Sequence, residues 1–342
     1  MPSPITDIPA PSLQGRASHS DDSASDPDRA LALLLRAVRD SGYRFTTTTP
    51  LTHARLLAHR ADTPAANLRD IFGWNLPFAS KRLPSAILSL MQDADVLQER
   101  DGGLRSTVRM ATVDDDIFLH SSYPTTQADA VFFGPDTYRF VRFLREALHD
   151  LPTATASVRI LDLGCGSGAG AIVAGRALMQ AGSRVALTLN DINPLALRYA
   201  AINAELAGLP VEFAPGDATS AVDGEFDLII SNPPYLDDDA ARAYRHGGAR
   251  LGRALSVRFA KEALTRLAPG GRLLLYTGVV MVDGDDPLQA ELLPLLDAAG
   301  CSWTYAEIDP DVFGEELERP VYTHAERIAV VGLAATRTRI RG

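Results

Sequence analysis

The chain has 342 residues, 46% of them hydrophobic and 22% charged, with a formal net charge of −10. This is a globular composition with room for about two domains, and its acidic balance speaks against a protein that coats nucleic acid, since phosphate binding draws on clustered Lys and Arg. Two cysteines, Cys165 and Cys301, exclude a disulfide framework and a four-cysteine zinc site and fit a reducing compartment, and no apolar run reaches the ~18 residues of a membrane span, so a cytoplasmic protein without a membrane partner is expected.

Residues 1–26 are rich in Pro, Ser, Ala and Asp, lack the basic-then-apolar order of a secretory leader, and are expected to form a disordered tail. Asp26-Pro27, a capping residue followed by proline at the first helical position, opens a helix that buries Leu31, Leu34, Leu35 and Val38 and ends at Gly42. Helical spacing recurs over Leu51–His59, Ala65–Phe72 and Leu83–Met91. Val96–Gln98, the turn Asp101-Gly102-Gly103 and Leu104–Met110 predict a hairpin, with Ile117–Leu119 as a possible third strand, so residues 27–130 read as a small helical, winged-helix-like α+β module. Between Arg29 and Met110 there are 12 basic and 7 acidic residues, a net +5 that leaves −15 for the rest. These arginines are either solvated helix faces or a substrate-docking surface that includes Arg105 and Arg109.

From residue 131 the grammar changes. A helix beginning near Gly134-Pro135-Asp136 is followed by strands at Arg159–Leu163, Val185–Asn190, Val211–Phe213, Phe226–Ser231 and Arg272–Tyr276, with helices at Gly166–Ala181, Pro194–Ala207 and Ser256–Leu267 between them. A helix at Pro287–Ala299 and two strands, Trp303–Glu307 and Arg327–Leu333, close the pattern. The fold class is α/β, a Rossmann-like, seven-stranded, mostly parallel sheet over 131–336 with an antiparallel hairpin at one edge, followed by a basic tail at 337–342.

The chemistry sits at strand tips. The first strand runs into Leu161-Asp162-Leu163-Gly164-Cys165-Gly166-Ser167-Gly168 and then a helix, an arrangement that lets a ligand approach backbone N–H groups closely. The same letters satisfy the dinucleotide fingerprint, so NAD and an adenosine sulfonium cofactor both fit at this point. Cys165 reads as small-residue packing. Asp191, before Ile192 at the second tip, can accept from two ribose hydroxyls, and Asp217, before Ala218 at the third, can accept from an adenine amino group.

At the fourth tip stands Ser231-Asn232-Pro233-Pro234-Tyr235. An amide or aromatic amine nitrogen is a poor nucleophile because its lone pair is delocalised. A site that alkylates it should accept hydrogen bonds from its N–H groups and aim the lone pair at the electrophile. The Asn232 side-chain oxygen and the Pro233 carbonyl can supply those acceptors, the two prolines stiffen the loop, and Tyr235 can stack on a flat substrate group.

Taken together, these segments resemble class I S-adenosylmethionine-dependent methyltransferases, and more narrowly the HemK/PrmC-like, methyltransferase small-domain group marked by Asn-Pro-Pro-Tyr. The resemblance covers roughly 132–335. It implies S-adenosyl-L-methionine as cofactor and no metal, with Asp162 and the Gly164, Cys165, Gly166, Ser167, Gly168 loop at its methionine part. By the same resemblance Asp191 stands at its ribose, with Ile192 also a cofactor-binding residue, Asp217 and Ala218 at its adenine, and Asn232, Pro233, Pro234 and Tyr235 at the substrate nitrogen. The implied acceptor is the glutamine side chain of a peptide-chain release factor or another translation protein, or a base of RNA or DNA. A NAD-dependent oxidoreductase and a noncatalytic nucleotide-binding regulator are the competing classes. Release-factor enzymes of the group carry an Arg-Pro-Glu-Thr-type signature before the domain, where this chain has Phe133-Gly134-Pro135-Asp136-Thr137. Leu236–Gly270 holds seven basic and four acidic residues, with Gly247, Gly248 and Gly252 expected to keep it mobile, and reads either as a phosphate-contacting stretch or as a solvated helix face.

Overall fold

The computed structural model describes residues 26–60, 63–100, 103–149, 157–238 and 242–338. The expected disordered tail up to residue 25, the turn at Asp101-Gly102 and the basic tail beyond 338 lie outside the described residues. Two compact units are present, one built from the described parts of 1–125 with 132–135 and 202–208, the other from 126–131, 136–201 and the described residues from 209 onward.

In the first unit, α1 (Pro27–Asp40) starts where the capping pattern places it, with Asp28 N–H donating to Asp26 Oδ1, and buries Leu31, Leu34, Leu35 and Val38. Helices α2 (Pro50–His59) and α3 (Ser85–Asp93) follow. The helix expected over Ala65–Phe72 shrinks to one wide turn at Arg69–Gly73. Side chains there compete for the backbone: Asp70 accepts from Ala66 N–H and Arg60, and Asn67 Oδ1 accepts from Asp70 N–H.

The expected wing is two separate ladders, β1 (Leu97–Arg100) with β2 (Gly103–Ser106) and β3 (Val108–Val113) with β4 (Asp116–Ser121). The single strand expected over Leu104–Met110 breaks at Thr107, because Ser106 Oγ closes a local turn, donating to Val108 O and accepting from Val108 N–H. Arg109 does not face a docking partner. It is buried, donates to Gly73 O at 2.8 Å and stands beside His53.

His53 is itself buried, packed against Trp74 and Tyr123, and burial together with the Arg109 charge pushes its pKa down to about 4. A histidine held neutral in the fold stabilises it fully above the unfolded value near 6.5 and loses that contribution as pH falls. We expect about 3 kcal/mol to be lost between pH 6.5 and 4. Unfolding followed by Trp74 fluorescence in a Trp303→Phe background should show this slope, and His53→Gln should reduce it, leaving the share of buried His120, whose pKa burial also lowers.

From residue 135 onward, α4 (Pro135–His149) leads into β5 (Ser157–Leu163), α5 (Ala169–Gln180), β6 (Arg184–Asp191), α6 (Pro194–Ala207), β7 (Val211–Pro215) and β8 (Phe226–Ser231), all in the second unit apart from Pro135 and residues 202–207 of α6. Then come α7 (Ala254–Arg266), β9 (Leu267–Met281), α8 (Pro287–Ala298), β10 (Cys301–Asp309) and β11 (Arg327–Arg337). The strand order is β10-β11-β9-β8-β5-β6-β7, with β11 antiparallel to both neighbours and the other adjacent pairs parallel. The antiparallel edge hairpin expected from two consecutive strands is therefore present. Among the described residues no helix is long and apolar enough to cross a membrane.

This order reverses direction between β5 and β8. A ligand crevice opens at such a point, because the connections leave toward opposite sides of the sheet. Leu163 pairs with Ser231, whose Oγ donates to Leu163 O at 2.7 Å, so the glycine loop and the Asn232 loop emerge from adjacent strand ends.

Candidate active site

The glycine loop is shaped by backbone bonds. Gly164 and Cys165 N–H both donate to Asn190 O, and Gly168 N–H donates to Cys165 O. Gly168 has φ 77°, and a Cβ there would stand 3.2 Å from Ala200 Cβ, so α5 begins at Ala169, three residues later than expected. Asp162, under the loop, is buried and accepts from Ala171 N–H at 2.9 Å. Burial, reinforced by the Asp191 charge and opposed by that hydrogen bond, pushes its pKa up to about 7. Cys165 and Ser167 are buried in the loop, and burial raises the Cys165 thiol, which suits packing and not nucleophilic attack.

Asp191 ties the first and second strand tips together. Its Oδ2 accepts from Gly166 N–H and its Oδ1 from Asn193 N–H, each at 2.9 Å, while burial raises its pKa against these bonds. Each carboxylate oxygen has a second lone pair, so this clasp leaves capacity for ribose hydroxyls. Ile192 beside it is 65% exposed, an apolar side chain offered at a strand tip.

Asp217, the expected adenine acceptor, is already engaged by a cation. Both its oxygens accept from Arg258 of α7, at 2.7 and 2.8 Å, and these bonds lower its pKa. Ala218 next to it is buried with φ 49°.

The Asn232 loop is anchored by a residue that sequence reading missed. Asp136, in the first turn of α4, is buried; its Oδ2 accepts from Asn232 Nδ2 at 3.1 Å, and its Oδ1 accepts from the hydroxyls of Tyr235 and Tyr276, each at 2.8 Å. Burial raises its pKa, against the pull of these three donors. In the sequence Asp136 looks like an ordinary acidic residue at a helix start. The available signal was Tyr276, a hydroxyl in the otherwise apolar run Leu273-Leu274-Leu275 that needs a buried acceptor.

Tyr235 is not an open stacking platform. Its ring is 7% exposed and stands where a Cβ on residue 278 would be, so Gly278 makes its seat, with Phe313 edge-on at 6.0 Å. Pro233 is buried and Asn232 and Pro234 are partly exposed at the tip.

Five arginines of the basic stretch after this loop are paired, with Asp238 inside it and with carboxylates from elsewhere in the chain. Arg242 pairs with Asp238, Arg245 with Asp238 and Glu316, Arg250 and Arg253 with Glu291, and Arg258 with Asp217. Two of the three glycines expected to keep it mobile are packed: Gly247 and Gly252 are buried against Tyr235, Gly247 N–H donates to Leu236 O, and Leu236 N–H donates to Arg245 O.

The strand order, the glycine loop at the first tip and acidic residues at the next two define a class I methyltransferase fold. The Methyltransferase small domain family matches residues 141–280, and this unit is similar to the HemK/PrmC-like group of class I S-adenosylmethionine-dependent methyltransferases.

Release factor glutamine methyltransferase of Deinococcus radiodurans is 34% identical over 207 residues, covering 56% of this chain and 66% of that protein. The protein of that name from Koribacter versatilis is 30% identical over 185 residues, covering 50% of this chain and 60% of its own. Ribosomal RNA small subunit methyltransferase C of Chromohalobacter salexigens is 35% identical over 140 residues, covering 40% and 37%. The chain thus spans less than two thirds of the length of these relatives.

Proposed function

We propose that the protein transfers a methyl group from S-adenosyl-L-methionine to an exocyclic amide nitrogen, the glutamine side chain of a release factor or another translation protein. The observation that carries this reading is the Asn232 carboxamide, whose nitrogen is committed to Asp136 so that its oxygen is left as the acceptor at the tip of β8, beside the glycine loop.

The residues present suit the cofactor. A Cβ at Gly166 would meet nothing within 4 Å, so the loop has an open face there; the Asp191 carboxylate retains hydrogen-bonding capacity; and Ile192 offers an apolar surface. Asp162 and residues 164–168 would hold the methionine part, Asp191 the ribose, and Ile192, Asp217 and Ala218 the adenine side. Bound there, S-adenosylmethionine supplies an electrophilic methyl group on a sulfonium.

Asn232 Oδ1 and the Pro233 carbonyl accept the substrate N–H groups, hold the nitrogen in place and turn its lone pair toward the cofactor. The nitrogen's extra proton leaves to solvent, so no strong base is needed. Tyr235 supports this loop from beneath through its ring seat and its bond to Asp136.

A second reading, an RNA guanine as acceptor, is favoured by the match to the ribosomal RNA enzyme over 140 residues. The net +5 of residues 29–110 makes the first unit the candidate docking module in either case. Action on the translation machinery would place the protein in the cytoplasm. The test is tritiated methyl transfer into an extract of cells lacking this protein. Label that resists nuclease and is released by protease supports a protein acceptor, the reverse supports RNA, and no label rejects methyl transfer.

A further inference from the structure

We propose that Asp136 is a positioning residue that decides which end of the Asn232 carboxamide meets the substrate; the proposal rests on the reading of Asn232 as acceptor. The two ends of a carboxamide are nearly the same size, so only hydrogen-bond partners distinguish them. An oxygen toward the substrate accepts its N–H groups, whereas a nitrogen there repels them. An ionised carboxylate can only accept, and Asp136 Oδ2 stands 3.1 Å from Asn232 Nδ2. Turning the amide over would set oxygen against oxygen and destroy that bond.

The carboxylate is itself held rigidly. Its other oxygen accepts from Tyr276, inside β9, and from Tyr235, in the loop after β8, while its own backbone lies in the first turn of α4, where the helix dipole favours a negative charge. Three elements of the unit therefore converge on one buried group, and both phenolic protons are committed to it. With the Asp136 carboxylate ionised, as its three donors favour, no donor among these partners is left to stabilise the flipped amide. Asparagine at 136 would keep its oxygen toward the two phenols and present its nitrogen to Asn232, so the preference is lost with little change of volume.

The experiment uses the full chain labelled with nitrogen-15. The Asn232 side-chain NH2 pair is identified by its loss in Asn232→Ala, and its exchange with solvent is compared with that of exposed Asn67. In the wild type it should exchange at least ~10-fold more slowly than Asn67, and in Asp136→Asn at a similar rate. Should Asp136→Asn fail to fold, the wild-type comparison still decides: exchange as fast as Asn67 overturns the proposal.

Asp136→Asn should bind S-adenosylhomocysteine like the wild type in calorimetry and lower tritiated methyl transfer into the extract by about 100-fold. The double variant with Asn232→Ala should be no slower than Asn232→Ala alone, because both act through one carboxamide. Losses that multiply would show an independent structural role and overturn the proposal. A wild type that labels nothing would reject the proposed function, while the exchange comparison still judges Asp136.

Discussion

Asn232→Ala is expected to bind S-adenosylmethionine within about twofold of wild type while transferring methyl groups at least ~100-fold more slowly. The side chain it removes donates to Asp136, whereas the groups proposed to hold the cofactor are the glycine loop and Asp191, which bond to each other. What is lost is an acceptor aimed at the substrate nitrogen as its geometry changes. Groups that act at that stage of a reaction affect turnover more than cofactor binding. Calorimetry with the cofactor and initial rates of label transfer, measured on the same preparation, check the two halves. Full activity would sink the role given to Asn232, and lost cofactor affinity would relocate it to the binding site.

Asp191→Ala should do the opposite, weakening cofactor affinity by roughly 10- to 100-fold, as removal of two hydrogen bonds to a charged group suggests. Two effects combine. The ribose hydroxyls lose their acceptor, and Gly166 and Asn193 N–H lose the oxygens that hold the first two strand tips together. Asp191→Asn keeps an oxygen but no longer offers two acceptors, and should fall between the two. Titration with S-adenosylhomocysteine separates them, and unchanged affinity in Asp191→Ala would reject the ribose role. Removing this charge should also lower the raised pKa of Asp162, to which it contributes.

The strand-tip segments proposed to hold the cofactor were legible in the chain because they are local. A glycine loop, the acid after the second strand and Asn-Pro-Pro-Tyr after the fourth each occupy a few consecutive residues, and strand-helix alternation brings the ends of parallel strands to one edge. The supporting groups were hidden because each is ordinary in its own segment. Asp136 passes for a helix-start residue until Tyr235, Tyr276 and Asn232, between 96 and 140 positions away, are seen to surround it. The basic stretch after Tyr235 misled for the same reason: its charge balance counted only neighbours in sequence, and Glu291, Glu316 and Asp217 were outside the count.

The amino-terminal unit shows the limit most clearly. Its first helix was readable from a cap, a proline and apolar spacing, all short-range features. Its β part was not, since a side chain at Ser106 breaks one apparent strand into two and sends the halves to different ladders. Arg109 adds charge to the sequence count, yet the fold buries it against Gly73 and His53.

The sequence by itself determined the order of strands and helices in the larger unit, its family resemblance and the residues at its strand tips, because backbone periodicity and short motifs are encoded among neighbours. The tertiary structure alone decided which charges are paired, that Tyr235 is a buried support and not an open ring, and that the Asn232 amide donates to Asp136. Those properties depend on partners far apart in the chain, which come within hydrogen-bonding distance only when the sheet and its helices have packed.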